Sequence, residues 1–203
     1  MIRNLGQRFA RLVTNLVVRW PATWRVFRGL TRVQFDKLAP VWDRGRDPTA
    51  FAALEEGLAA IEGEVDNALD AGTGTGEAAL AVVRRWPSAR VVGIDLSPQM
   101  IEAARRKAPP GANLEFRVGD VTKIDAPDGA FELVTAANMI PFFDEFARVL
   151  APRGRLLLSF SIGAATPIYV DSQRLRDELA PRGFAEFAEF SSGRSTAFLA
   201  RKR

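Results

Sequence analysis

From residue 65 onward the sequence alternates short apolar runs with amphipathic stretches, and this alternation constrains the fold more than any other feature of the chain. Strands are expected at 66–70, 90–95, 114–118, 131–137, 154–161, 184–190 and 195–201. Helices are expected between them at 76–86, 98–107, 142–150 and 171–181. Strands separated by helices run parallel, because each crossover carries the chain back along the outside of the sheet. The pattern predicts an α/β, doubly wound, mostly parallel seven-stranded sheet covered on both faces. Only "SSGR" joins the last two strands, and so short a link makes them an antiparallel hairpin at the C-terminal end.

In such a sheet ligands bind beyond the carboxyl ends of the strands, where the strand order reverses. Asp70, Asp95, Asp120 and Asn138 each stand at a strand end and form one polar rim. Between the first strand and its helix runs "LDAGTGTGEA", with Gly72, Gly74 and Gly76 at alternate positions. Glycines this dense let the backbone approach a ligand closely. Their spacing separates the candidate ligands. A dinucleotide fold places its third glycine three positions past the second, which here is Glu77, and no Lys-Ser/Thr pair follows to make a P-loop. An acid at the mouth of the loop also disfavours phosphate. The ligand expected is a nucleoside without phosphates that carries positive charge.

These segments resemble the motifs of the class I S-adenosylmethionine-dependent methyltransferases, over roughly residues 35–203. "LDAGTGTG" is similar to the family's glycine loop, which implies that Asp70 faces the methionine ammonium and that Ala71, Gly72, Thr73, Gly74 and Gly76 admit the cofactor. "VVGIDLSPQMIEAARRKA" is similar to the second strand and helix, which implies ribose binding by Asp95 with Leu96 and Met100 beside the adenine. "VGDVTKID" resembles the third motif, placing Asp120 and Val121 at the adenine amino edge, and Asn138 closes the rim. "FDKLAPVWD" resembles an opening segment whose aromatic residue, here Trp42, closes over S-adenosylmethionine. "RVLAPRGRLLLSFS" resembles the strand-five motif, with Arg153 where a glycine is usual.

The chain holds neither histidine nor cysteine, which removes the commonest general base and the soft metal ligands. No metal is expected. Methyl transfer from a sulfonium is chiefly a matter of placement, and a base is needed only where the acceptor must lose a proton. Asp144, Glu145, Asp171 and Tyr169 are the candidates. Asp171 also suits a helix N-cap, Asp144 and Glu145 suit a helix start, and no catalytic base is assigned. "NMIPFF", residues 138–143, departs from the Asn/Asp-Pro-Pro-aromatic motif of amino-methylating nucleic-acid enzymes. It suits an apolar acceptor pocket lined by Met139, Ile140, Phe142 and Phe143, or an ordinary core at a strand–helix junction. The expected activity is methyl transfer to a small, apolar or lipid-like acceptor. A non-catalytic sensor or scaffold that holds the cofactor is the alternative. An aminopropyl-transfer enzyme would want acids where "TAANMIPFF" is apolar.

Residues 1–46 hold ten Lys/Arg against Asp36 and Asp43, a net of +8, whereas residues 47–203 carry 18 Lys/Arg and 22 acids, a net of −4. The boundary drawn is therefore a basic helical extension over 1–46 and a cofactor-binding domain over 47–203. Apolar residues at helical spacing between 2 and 20, with arginines opposite them and Trp20 at the end, describe a strongly amphipathic helix. A second helical stretch with Trp24 and Phe27 follows over 22–39, and a polar loop leads to a helix expected over 49–63. Residues 1–31 read equally well as an anchor on an anionic membrane surface and as a lid packed on the domain. RNA binding, as in an RNA methyltransferase using the basic arm, comes third because the aromatics avoid the arginine face. No run reaches the roughly 20 apolar residues of a membrane span, and arginines interrupt any secretory signal. The expected location is the cytoplasm, at the inner face of a membrane where the arm anchors.

Overall fold

The computed structural model describes residues 2–203, with side chains from Ala10 onward. Seven strands form one sheet, β1 (Asn67–Ala71), β2 (Arg90–Asp95), β3 (Leu114–Val118), β4 (Phe131–Ala137), β5 (Leu150–Phe160), β6 (Phe184–Ser192) and β7 (Ser195–Lys202). Their order is β3-β2-β1-β4-β5-β7-β6. The first five are parallel neighbours, and β7 enters antiparallel between β5 and β6. The doubly wound sheet with its terminal hairpin is therefore the fold that the alternation predicts. Strand order reverses between β1 and β4, which puts the switch point at the glycine loop.

Alternation along each central strand divides the core between the two faces. Ala68, Leu133 and Leu157 face α3 (Ala52–Ala59), α4 (Glu77–Arg85) and α5 (Pro98–Lys107). Leu69, Val134, Leu156 and Leu158 face the other layer, with α6 (Phe143–Val149) and α7 (Ser172–Leu179). Local chemistry sets the helix ends. Ser97 caps α5 by accepting from the Met100 amide at 3.1 Å, with Pro98 in the first turn, and Asp171 caps α7 through the Arg174 amide at 2.9 Å.

The N-terminal region is α1 (Ile2–Arg19), a 3-10 turn at Pro21–Thr23, α2 (Trp24–Leu38) and a second 3-10 turn at Ala39–Val41. Val13, Val17 and Trp24 are buried in the same apolar cluster as Val134, Leu156 and Phe160. The Arg11 guanidinium donates to the carbonyls of Ala164 and Thr166 at 2.6 and 3.1 Å. Part of the arm thus packs onto the sheet as a lid would.

Three boundaries differ from the sequence reading. The helix expected over 49–63 is only Ala52–Ala59, because Asp47 takes the Thr49 amide and hydroxyl into a local turn. Pro21 and Pro40 make the 3-10 turns that bracket α2. β5 begins at Leu150 rather than 154, since Leu150 already pairs with Phe131 before the register shifts at Leu133. Arg153, in the glycine-like place of that segment, adopts φ +64°.

Candidate active site

At the switch point the chain encloses a cavity of about 850 Å³, bounded by the glycine loop, the ends of β2 to β5, and the inner faces of α1 and α2. Trp42, Gly72, Thr73, Gly74, Asp95, Leu96, Met100, Asp120, Val121 and Asn138 all line it. So do Met139, Ile140 and Phe142. Residues spread over a hundred positions thus share one chamber.

The glycine loop has left-handed backbone at Gly72, Gly74 and Gly76, with φ of +64°, +52° and +91°. Only Gly74 borders open space. A Cβ there would meet nothing nearer than the Trp42 indole nitrogen at 3.8 Å. A Cβ at Gly72 would strike the Met139 sulfur at 2.8 Å, and one at Gly76 would strike Phe116 at 2.9 Å. Gly74 therefore serves the ligand side, while Gly72 and Gly76 serve packing. Gly93, which the sequence does not flag, is part of the same fit, because a Cβ there would stand 2.6 Å from Phe116 and 2.8 Å from the Thr73 hydroxyl.

Asp95 is held ready at the cavity wall. One oxygen accepts from the Ser97 amide at 2.8 Å and the other from the Gly74 amide at 2.9 Å, so the acid and the loop share one geometry. Burial pushes its pKa above the ordinary carboxylate value, against those two amides, and the Asp36 carboxylate adds to the rise. Asp120 accepts from the Thr122 amide and hydroxyl at 3.0 and 2.8 Å, and Arg28 of α2 stands 3.6 Å from its free oxygen. Asn138 takes left-handed backbone at φ +52°, and its side-chain oxygen accepts from the Ser161 amide at 2.9 Å, tying the ends of β4 and β5 together.

Asp70 behaves differently from what the family resemblance implies. It is 1% exposed and does not line the cavity. One oxygen accepts from the Thr73 hydroxyl at 2.6 Å and the Ala79 amide at 3.1 Å, and the other from the Thr135 hydroxyl at 2.9 Å. The acid braces the glycine loop from beneath, joining it to α4 and β4. Burial raises its pKa to about 6, although all three hydrogen bonds work the other way. Ala71 and Gly76 also lie behind the wall. Phe143 is turned into the core, 4% exposed, and borders a smaller cavity instead. The start of α6 points it away from Phe142.

None of the candidate bases lines the main cavity. Asp171 is the α7 cap, Asp144 accepts from Arg182 at 2.6 Å, and Glu145 accepts from the Ile124 amide at 2.6 Å. Tyr169 stacks edge-on against Phe160 at 5.0 Å, and burial raises its pKa further.

Other polar residues at the site fall within the quoted segments, but their partners lie in other segments and only the fold brings them together. Asp43 accepts from the Thr75 hydroxyl at 2.8 Å and pairs with Lys107 at 2.5 Å, which also meets Glu77 at 2.6 Å. Partial burial works against ionisation of Asp43, but the hydrogen bonds from Lys107 and Thr75 hold its pKa below the usual carboxylate range. Asp36 accepts from the Ser97 hydroxyl at 2.6 Å. These contacts strap residues 36–46 across the loop, with Trp42 over Gly74 and Phe35 edge-on to Trp42 at 5.4 Å. On the opposite wall, Trp24 meets Phe142 edge-on at 5.7 Å, and Phe27 and Ile168 join the lining. The signal for Trp24 and Phe27 was their helical spacing alone.

The donor set fits a nucleoside bearing no phosphate. It offers an open glycine, a fixed carboxylate, and the apolar edges of Leu96, Met100 and Val121. Among the described residues no cluster of three acidic, histidine or cysteine side chains converges as metal ligands.

Comparison with known proteins agrees with this geometry. The profile of a methyltransferase domain matches residues 68–154. The demethylmenaquinone methyltransferase of Thermus thermophilus is 38% identical over 137 residues, covering 61% of this chain and 62% of that protein. Its counterpart in Chlamydia trachomatis is 29% identical over 179 residues, covering 82% of this chain and 76% of that one. For the Deinococcus radiodurans protein the aligned share falls to 46% of its length. Among solved structures, a chain from the Haloferax volcanii complex with the Trm112 methyltransferase activator superposes with a TM-score of 0.69 at 19% identity, covering 82% of this chain and 96% of that one. The phosphoethanolamine N-methyltransferase 2 of Haemonchus contortus, solved with S-adenosylmethionine, gives 0.58 at 16% identity, covering 76% of this chain and 52% of that one. Glycine loop, strand-end acids and sheet order agree with these likenesses: residues 68–154 match a methyltransferase domain, and the chain has the fold of the S-adenosylmethionine-dependent methyltransferases.

Proposed function

We propose that this protein methylates a quinone-like, lipid-like ring compound. The observation that carries the reading is the contrast between the two walls of the main cavity. Its titratable lining residues, Lys37, Arg46, Glu77, Asp95 and Asp120, come from α2, the strap, the start of α4 and the ends of β2 and β3. The wall from α1 and the ends of β4 and β5 contributes Val13, Met139, Ile140, Phe142 and Ile168 and no titratable group. A wall of that kind desolvates and orients a flat apolar molecule. It provides no base, so the acceptor brings its own nucleophilic centre, as an electron-rich quinol ring does, and the ring proton that the methyl group replaces passes to solvent.

S-adenosylmethionine bound along the glycine loop supplies the activated methyl group. Asp95 would hold its ribose, Leu96, Met100 and Val121 its adenine, and the Gly74 backbone its amino-acid end, with Asp70 acting through the loop. Trp42 and the strap exclude water from above. The names of the relatives support a demethylated menaquinol as the first acceptor to try. Incubation with methyl-labelled cofactor and a reduced naphthoquinol should move label into the ring compound. Label that moves only into RNA or protein, or cofactor binding without turnover on any ring acceptor, would refute the reading.

A further inference from the structure

Exposed apolar side chains are concentrated in one part of the molecule. Leu12, Trp20, Val26, Leu30, Val33 and Val41 are 56, 57, 78, 62, 49 and 43% exposed, and among the described residues only Val118 joins them from elsewhere. Val26, Leu30 and Val33 recur at i, i+4 and i+7, one row along α2, and Trp20 stands at the elbow between α1 and α2. The inward rows of the same helices, with Val13, Val17 and Trp24, are already buried in the core. The arm's described apolar residues therefore divide into a packed set and an outward set, and among the described residues nothing buries the outward set. Patches of this kind on a monomer mark an interaction site.

Charge identifies the occupant. Residues 1–35 contain seven arginines and no acid. Of those with described side chains, Arg11 is turned to the Ala164 and Thr166 carbonyls, and Arg28 and Arg32 face Asp120 and Asp36. Arg19 and Arg25 flank the elbow, so a symmetric dimer there would set like charges against each other. An RNA surface would use the arginines but leave large apolar groups in water. An anionic bilayer takes both, since headgroups meet the arginines and the acyl boundary takes Trp20 and the α2 row. No described helix is long and apolar enough to cross a membrane, so the contact is interfacial. Leu30 and Val33 also line the cavity, so the outward row continues into the apolar wall.

We propose that the elbow between α1 and α2 docks on an anionic bilayer, and that Leu30 and Val33 form an apolar threshold from the lipid phase into the cavity. The docking stands on exposure and charge alone, whereas the threshold rests on the lipid-like acceptor proposed above. The test is co-sedimentation of the full chain with vesicles of phosphatidylcholine, with and without phosphatidylglycerol. The protein should follow the anionic vesicles, and salt should release it, because charges beyond about 10 Å are screened at 0.1 M. The double variant Trp20→Glu/Val26→Glu alters two residues outside the main cavity. It should lose at least tenfold in vesicle partitioning while keeping its melting temperature, its cofactor affinity and its turnover of a tail-less, water-soluble naphthoquinol. Its turnover of a long-tailed quinol in vesicles should fall in parallel. Equal partitioning of variant and parent would overturn the proposal, as would a parent that ignores vesicles but self-associates or captures RNA. Vesicle binding without turnover of either quinol would sink the acceptor reading and leave the docking intact.

Discussion

On the glycine-loop side of the cavity, polar groups are fixed before any ligand arrives. Asp95 is held by the Ser97 and Gly74 amides, Asp120 by Thr122, and Asp43 by Thr75 and Lys107. On the facing side, Met139, Ile140, Phe142 and Ile168 offer shape without any titratable group. A preset polar wall recognises one ligand with little reorganisation, and each lost bond leaves a partner unsatisfied. An apolar wall selects by volume, so single changes there act in smaller steps. The contrast predicts that the proposed cofactor and acceptor are recognised by different physics, and it can be tested from both sides.

The largest effect is expected where the polar wall is packed. Gly93→Val would drive its side chain into Phe116 and the Thr73 hydroxyl. Overpacking costs about 1–3 kcal/mol, and disturbing the buried bond from Thr73 to Asp70 adds to it. A Tm lowered by roughly 5–10 °C in a calorimetric scan is expected. An unchanged Tm would mean that this wall is softer than its geometry says.

Next comes Asp95→Ala, which removes charged hydrogen bonds worth roughly 1.5–3 kcal/mol and should weaken cofactor binding by about 10- to 100-fold. The KM for the acceptor should stay near its parent value. Calorimetric titration with the demethylated cofactor checks this, and unaltered affinity would remove Asp95 from the site.

Changes in the apolar wall should show the converse pattern. Ile140→Ala or Ile168→Ala should each raise the acceptor KM by about tenfold, from roughly 1–2 kcal/mol of lost contact. Cofactor Kd should not move. A variant that alters both constants together would break the division between the walls.

A finer test uses pH. The folded-state pKa of Asp70 is raised to about 6 from an ordinary 3.8, so the folded protein binds this proton more tightly than the unfolded chain does. Its contribution to stability is therefore complete below about 4 and declines as pH rises to about 6. The Tm of the parent minus that of Asp70→Asn should fall across that interval. A difference that stays flat or grows would show that the three hydrogen bonds outweigh burial.

The same contrast explains what could be read from sequence. Strand positions, the terminal hairpin, and the roles of Gly74 and Asp95 as cavity lining follow from spacing, because a loop and a strand end are local features. The orientation of Asp70 does not, since it depends on Thr135, which is 65 residues away. Phe142 and Phe143 are adjacent and equally apolar, and only the start of α6 decides which one faces the cavity. The strap from Asp43 to Lys107 joins charges that look like ordinary solvated residues until the fold brings them together. Periodicity could give the arm an apolar face, but not divide it between core and exterior.

Arg153 carries a last consequence, for engineering rather than for catalysis. It is exposed, sits within β5 where the register with β4 shifts between the Phe131 and Leu133 pairings, toward the end of the strand away from the cavity, and holds φ at +64°. A left-handed conformation costs a side-chain-bearing residue about 1–2 kcal/mol, whereas glycine loses only about 0.5–1 kcal/mol of extra chain entropy on folding. Arg153→Gly should therefore leave a net gain of roughly half a kcal/mol, readable as a small rise in Tm, without touching either wall. A variant destabilised elsewhere, such as an acceptor-specificity mutant, could draw on that margin as a silent background change.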